Sequence, residues 1–193
     1  MRRSSIALLA LALLAAPAAA HAQFGIKAGV AFGNISNKGL LPGSLKGRTG
    51  FAGGVSLESA PSIIGFGVEG LYSMEGLTSS ASTGGLKLSY ISVPAYLRVM
   101  IPTPAIKPFA YLGPQVSFEV SCKSGDVDCA GDRKKTIFAG VIGAGVRFGG
   151  STSQGFSLEG RYVYGLTDLK PSTVASSDSY KTRTFLILAG FHF

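Results

Sequence analysis

The stretch FLILAGFHF (Phe185–Phe193) closes the sequence, and its alternation decides the fold. Successive side chains of a strand point to opposite faces. Phe185, Ile187, Ala189, Phe191 and Phe193 therefore share one face, opposite Thr184, Leu186, Leu188, Gly190 and His192. Soluble domains usually fray at their ends. A last strand that stops on Phe is expected instead where it pairs with the first strand and leaves no free edge.

Seven further segments alternate in the same way: Phe24–Phe32, Arg48–Glu58, Ile64–Met74, Lys87–Ile101, Lys107–Ser121, Thr136–Phe148 and Gly155–Leu166. They are longer than the usual soluble strand of about 5–6 residues. A tilted strand that crosses a bilayer needs about 9–11. The connections alternate too. NISNKGLLPGSLKG, EGLTSSASTGG, CKSGDVDCAGDRKK and TDLKPSTVASSDSY are long and polar, while SAPS, PTPAI and GGSTSQ are short. Long loops on one rim and tight turns on the other are the signature of an outer-membrane barrel. These features predict an all-β fold, an eight-stranded antiparallel up-and-down transmembrane barrel.

A soluble barrel of the lipocalin kind would also have one apolar face, so the polar face has to discriminate. Facing water, it would be rich in Lys, Glu, Asp, Thr and Gln. Here it is mostly Gly and Ser, with Glu58, Glu69, Glu119 and Glu159 set against Lys27, Arg48, Arg98, Arg147 and Arg161. Small residues with charges of both signs suit a cramped interior, and eight strands leave room only for side chains. These nine residues are expected to form a charge cluster that fills the lumen. A proton or ion path along the cluster is the alternative. On the apolar side only Arg183 is charged, near the outer end of the last strand, where the penalty for a lipid-facing Arg fades.

The segment MRRSS, an apolar run from Ile6 to Ala20 and the motif AHA (Ala20–Ala22) have the layout of a secretory signal. Residues 1–22 are expected to be cleaved before Gln23, leaving residues 23–193 as one barrel domain. The apolar run is short for a membrane helix, and no Cys at the cut suggests a lipid anchor. Charged residues make up only 15% of the chain, with 27 glycines and no Trp, against about 25% charge in a typical soluble domain. The formal charge of +8 becomes +6 when Arg2 and Arg3 leave with the signal. It is scattered and carries no nucleic-acid motif, so the expected partners are the lipid bilayer and lipopolysaccharide rather than nucleic acid.

GFGVEG (Gly65–Gly70) matches the dinucleotide pattern, but another alternating run follows it and no acid lies near position 90. Strand glycines that make room for bulky neighbours are the better account. Cys122 and Cys129 share one long loop, and in an exported chain this predicts a disulfide. A metal site using Asp126, Asp128 and Asp132 is the sharper alternative. The calcium pattern breaks at Ala130, and no His is close by. The expected domain has one His, His192, expected to be an ordinary polar residue on the inner rim. A Ser–His–acid site is therefore hard to assemble, and no catalytic, metal or cofactor residue is predicted.

The closing strand resembles the assembly signal of bacterial outer-membrane barrels, with Phe185, Ile187, Ala189, Phe191 and Phe193 matching it by position. GVEGLYSMEG (Gly67–Gly76), YISVPAYLRV (Tyr90–Val99) and KPFAYLGP (Lys107–Pro114) resemble central strands of the outer membrane protein beta-barrel domain. The chain is similar to small porin-family barrels of the OmpX, OmpA and PorT-like kinds. The resemblance implies a monomer in the bacterial outer membrane, inserted by the barrel-assembly machinery. Its implied role is non-enzymatic, structural or surface-interacting, carried by four outer loops whose ligand the sequence does not name. A narrow channel is the alternative, followed by a lipid-modifying enzyme. The absence of Trp departs from a typical aromatic girdle and leaves Tyr72, Tyr162, Tyr164, Phe24 and Phe148 for the interfaces.

Overall fold

The computed structural model describes residues 22–35, 45–59, 63–79, 86–124, 127–128, 136–149, 154–167 and 182–193. The strands are β1 (Ala22–Ile35), β2 (Leu45–Ser59), β3 (Ile64–Ser79), β4 (Leu86–Met100), β5 (Ile106–Ser124), β6 (Val127–Asp128), β7 (Thr136–Phe148), β8 (Gly155–Gly165) and β9 (Thr182–His192). All pairings are antiparallel between neighbours along the chain, save that β5 pairs with both β6 and β7. The first and last strands pair as well, with Ala28 opposite Ala189 and Phe32 opposite Phe185. Eight long strands thus close a barrel, and β6 is a two-residue extension beside the outer end of β5. Of the expected signal, residues 1–22, residues 1–21 lie outside the described residues and Ala22 is the first residue of β1.

Several boundaries differ from the sequence expectation. β4 stops at Met100 and β8 at Gly165, one residue short in each case. After β4, Ile101 donates its N–H to Pro108 O at 2.9 Å and Thr103 donates to Ile101 O, so the turn begins before Pro102. At the outer rim the strands run past the apolar alternation. β2 starts at Leu45, β3 continues to Ser79 and β5 to Ser124. Backbone pairing persists there beyond the apolar alternation.

The apolar face looks outward. Phe66 and Phe156 leave 64% and 65% of their surface uncovered, and outward residues on every long strand are also exposed. A contiguous belt of this kind is far beyond what a soluble monomer exposes. At the seam, Phe24 stacks on Phe193 with ring centroids 6.0 Å apart, and Phe191 meets Phe156 at 4.8 Å. Phe193 N–H donates to Phe24 O at 2.8 Å, extending the β1–β9 ladder to the last residue. Phe185, Ile187, Ala189 and Phe193 are exposed, and Phe191 is half-buried among the aromatic rings.

Glycines in the wall admit large inward side chains. Gly67 lies directly across from Tyr96 and Gly143 across from Tyr111. A Cβ at either glycine would overlap the tyrosine ring. Gly67 belongs to the GFGVEG stretch, so that pattern serves interior packing and precedes no helix. Tyr96 and Tyr111 are themselves in contact, with ring centroids 4.6 Å apart.

Candidate functional site: an ion-pair plug in the lumen

Inward positions near the inner end of the barrel bring together Lys27, Glu58, Glu69, Arg98, Arg147, Glu159 and Arg161, each at most 5% exposed. Lys27 Nζ lies at the centre, 2.7 Å from Glu69 Oε1, 3.1 Å from Glu159 Oε2 and 3.2 Å from Glu58 Oε1. Arg161 Nη2 bridges Glu69 Oε2 at 2.6 Å and Glu159 Oε1 at 2.7 Å. Its Nε donates to Tyr111 OH at 2.7 Å. Tyr96 OH is within 2.9 Å of Glu58 and 2.7 Å of Glu69.

Glu58 also receives two arginines. Arg98 Nη1 and Arg147 Nη2 both contact its Oε2, the second at 2.6 Å. Arg147 Nη1 donates to Gln23 Oε1 at 2.9 Å. His192 completes the inner end, with Nδ1 3.1 Å from Arg147 Nη2 and Nε2 3.0 Å from Ser157 Oγ. Every long strand supplies a member: Lys27 from β1, Glu58 from β2, Glu69 from β3, Tyr96 and Arg98 from β4, Tyr111 from β5, Arg147 from β7, Glu159 and Arg161 from β8, and His192 from β9. Unpaired charges in such a place would be prohibitive. Mutual pairing removes most of that cost and fixes the strands to one another.

One predicted member does not join. Glu119 lies on β5 eight positions beyond Tyr111, about 26 Å along the strand at 3.3 Å per residue. It is half-buried and opposite Tyr90, so its inward orientation shares a face with the cluster but not a level. Arg48, on the outer part of β2, has a side chain outside the described residues. In the other direction, His192 is no ordinary rim residue. It is 1% exposed and packed into the plug. Gln23, Tyr96 and Tyr111 were also missed as members. Their signal was inward alternation in register with the charged residues, which a search for charges alone passes over.

Above the plug, the outer half of the lumen is apolar and hydroxyl-lined. Leu71, Val163 and Leu186 share it with Ser92, whose Oγ is 2.8 Å from Ser117 Oγ. A cavity of about 30 Å³ lies between them over Arg161, room for about two waters.

Ser157, His192 and Glu58 have the residue types of a hydrolytic triad, but their roles are wrong. His192 Nδ1 is 4.0 Å from Glu58 Oε2 and closer to Arg147, which can only donate. Nδ1 therefore accepts, the ring proton sits on Nε2, and Nε2 donates to Ser157 rather than taking its proton. A general base needs the opposite arrangement. Cys122 lies near the outer end of β5 and is not a free thiol. Cys129, the other half of the expected bridge, is outside the described residues, as are Asp126 and Asp132.

A closed eight-stranded barrel with an apolar belt, aromatic seam and ion-paired lumen defines the class: a small integral barrel of the bacterial outer membrane. The chain belongs to the outer membrane protein beta-barrel domain family, whose profile matches residues 6–193. No curated protein matches it in sequence. Among solved structures it is similar to the Neisserial surface protein A (NspA), at 19% identity and TM-score 0.54, covering 88% of this chain and 97% of that one. It is also similar to the outer membrane protein OprG from Pseudomonas aeruginosa, at 14% identity and TM-score 0.52, covering 89% and 95%. The outer membrane enzyme PagL matches at 15% identity and TM-score 0.50, covering 86% and 97%. At these identities the likeness is one of fold, and it spans proteins of different roles.

Proposed function

We propose that this protein is a non-enzymatic, non-conducting, monomeric barrel whose role is structural or surface-interacting and is carried by its outer loops. The observation that carries this reading is Lys27 held by three carboxylates from β2, β3 and β8. A chain of ion pairs across the lumen leaves ions no path, and opening one would break several buried pairs at about 3–5 kcal/mol each. Planar-bilayer recording of the folded protein tests it. No stable openings are expected, and reproducible unitary currents would overturn it. The hydroxyl-lined outer lumen favours a narrow channel as the second reading, and the same recording distinguishes the two. The His192 tautomer speaks against hydrolysis.

Biogenesis and loop structure follow the same reading. The outward row Phe185, Ile187, Ala189, Phe191 and Phe193 serves as the assembly signal for the barrel-assembly machinery after removal of residues 1–22. Cys122 and Cys129 bridge the third outer loop. The register supports this: Lys123 pairs with Asp128 and Ser124 with Val127, so the next antiparallel pair would be 122 with 129. Directly opposed residues have the Cα separation a disulfide requires.

A further inference from the structure

The lipid-facing wall has a shallow depression, of about 420 Å³, lined by Leu112, Pro114, Gly140, Ile142, Tyr162 and Tyr164 among others. Its origin is readable in the register. Pro114, Gly140, Tyr164 and Arg183 form one row across β5, β7, β8 and β9. Leu112, Ile142, Tyr162 and Phe185 form the row below. Where the lower row has four large side chains, the upper has a compact proline and no side chain at Gly140. A Cβ there would meet nothing within 4 Å, so steric need does not explain the glycine.

The upper row lies at the outer end of the barrel, since Tyr164 is the penultimate residue of β8 and Arg183 the second of β9. Arg183 is exposed on the lipid side, with its guanidinium 5.7 Å from the Tyr164 ring. The depression is apolar, and Arg183 flanks it across Tyr164, in the same row as Gly140. This arrangement matches an amphiphile with an acyl chain on the wall and an anionic head at its side. The head must be at the outer surface, and Arg is suited to phosphate.

We propose that this depression is a binding site for the phosphorylated, multiply acylated glycolipid of the outer leaflet, lipid A. One acyl chain lies over Gly140 between Pro114 and Tyr162, and a phosphate pairs with Arg183, which Tyr164 holds in place. The inference rests on the barrel's place in the outer membrane and is independent of whether the lumen conducts.

Native mass spectrometry of the folded protein in detergent micelles tests it, with lipid A, enzymatically dephosphorylated lipid A and phosphatidylethanolamine as probes. The wild type should retain one lipid A at concentrations at least about tenfold below those needed for phosphatidylethanolamine. Gly140→Leu fills the depression and should weaken both glycolipids about tenfold or more. Arg183→Ala should weaken lipid A and leave the dephosphorylated form unchanged. Val55→Leu, on the opposite wall, should change neither. Each variant's fold is checked by its shift between boiled and unboiled gel samples, and Gly140→Val replaces Gly140→Leu if that variant does not fold. Equal retention of lipid A by the wild type and the Gly140 variant would overturn the proposal. So would equal binding of phosphatidylethanolamine, or an Arg183→Ala variant indifferent to the phosphate.

Discussion

Arg147 and His192 meet nitrogen to nitrogen, Nη2 to Nδ1 at 3.1 Å, inside the inner end of the barrel. Because the guanidinium has no acceptor, the contact fixes the imidazole as the neutral Nε2–H tautomer. The same Nη2 also reaches Glu58 Oε2 at 2.6 Å, so the carboxylate is engaged by the arginine and not by the histidine.

That tautomer can be observed. Nitrogen-15 NMR of the folded, His-labelled protein should show one protonated and one bare ring nitrogen for His192, with the proton on Nε2. Ser157→Ala should cost about 1 kcal/mol of stability, the size of one net hydrogen bond. A ring protonated on Nδ1 would restore the roles a triad needs and would remove the geometric objection to hydrolysis.

Glu58→Gln should be among the most destabilising conservative changes in the lumen. Glu58 serves Lys27, Arg98 and Arg147 at once. Among the described residues the buried charges are four cations and three carboxylates, so its neutralisation leaves four against two. Removing one partner of a buried pair typically costs about 3–5 kcal/mol. Urea unfolding from lipid vesicles, followed by gel mobility, would measure it. A loss below about 1 kcal/mol would mean the cluster behaves like a surface pair.

The plug was legible in the sequence wherever charge and alternation coincide. Lys27, Glu58, Glu69, Arg98, Arg147, Glu159 and Arg161 fall inward because an Arg or Glu in the belt would cost more than one in the lumen. Alternation gives the face of a residue but not its height, since height depends on the stagger between strands. Glu119 was therefore grouped with residues far below it on the same face. His192 was misjudged for a related reason. At a chain end the rim and the lumen are one residue apart, and only the β1–β9 register, with Gly25 opposite His192, places the ring inside. The two-residue β6 had no apolar alternation to reveal it.

Glycines that look alike in the sequence should behave oppositely. Gly67→Ala and Gly143→Ala put a methyl into the rings of Tyr96 and Tyr111, and neither ring can shift without disturbing its bonds to Glu58, Glu69 or Glu159. Overpacking of this kind costs about 1–3 kcal/mol. Gly140→Ala enters open space and should be neutral within about 0.5 kcal/mol. The three variants compared in one urea series check this, and equal losses would mean that the tyrosines do not occupy the space above the glycines.

The third outer loop offers the last expectation. If the β5–β6 register continues by one step, Cys122 and Cys129 oppose each other and enclose only the residues between them. By chain entropy a bridge across so short a loop constrains the unfolded chain by about 2.5 kcal/mol at most. The hairpin it ties lies beyond the barrel wall and can open locally, so Cys122→Ser and Cys129→Ser should lower the unfolding midpoint of the barrel only modestly. The loop should respond instead. Protein purified from the membrane should carry no thiol reactive with a maleimide until it is reduced. After reduction, the segment between β6 and β7 should be cut by an added protease at least about tenfold faster, since opening of a local hairpin rather than global unfolding would limit cleavage. Two reactive thiols in the untreated protein would rule the bridge out.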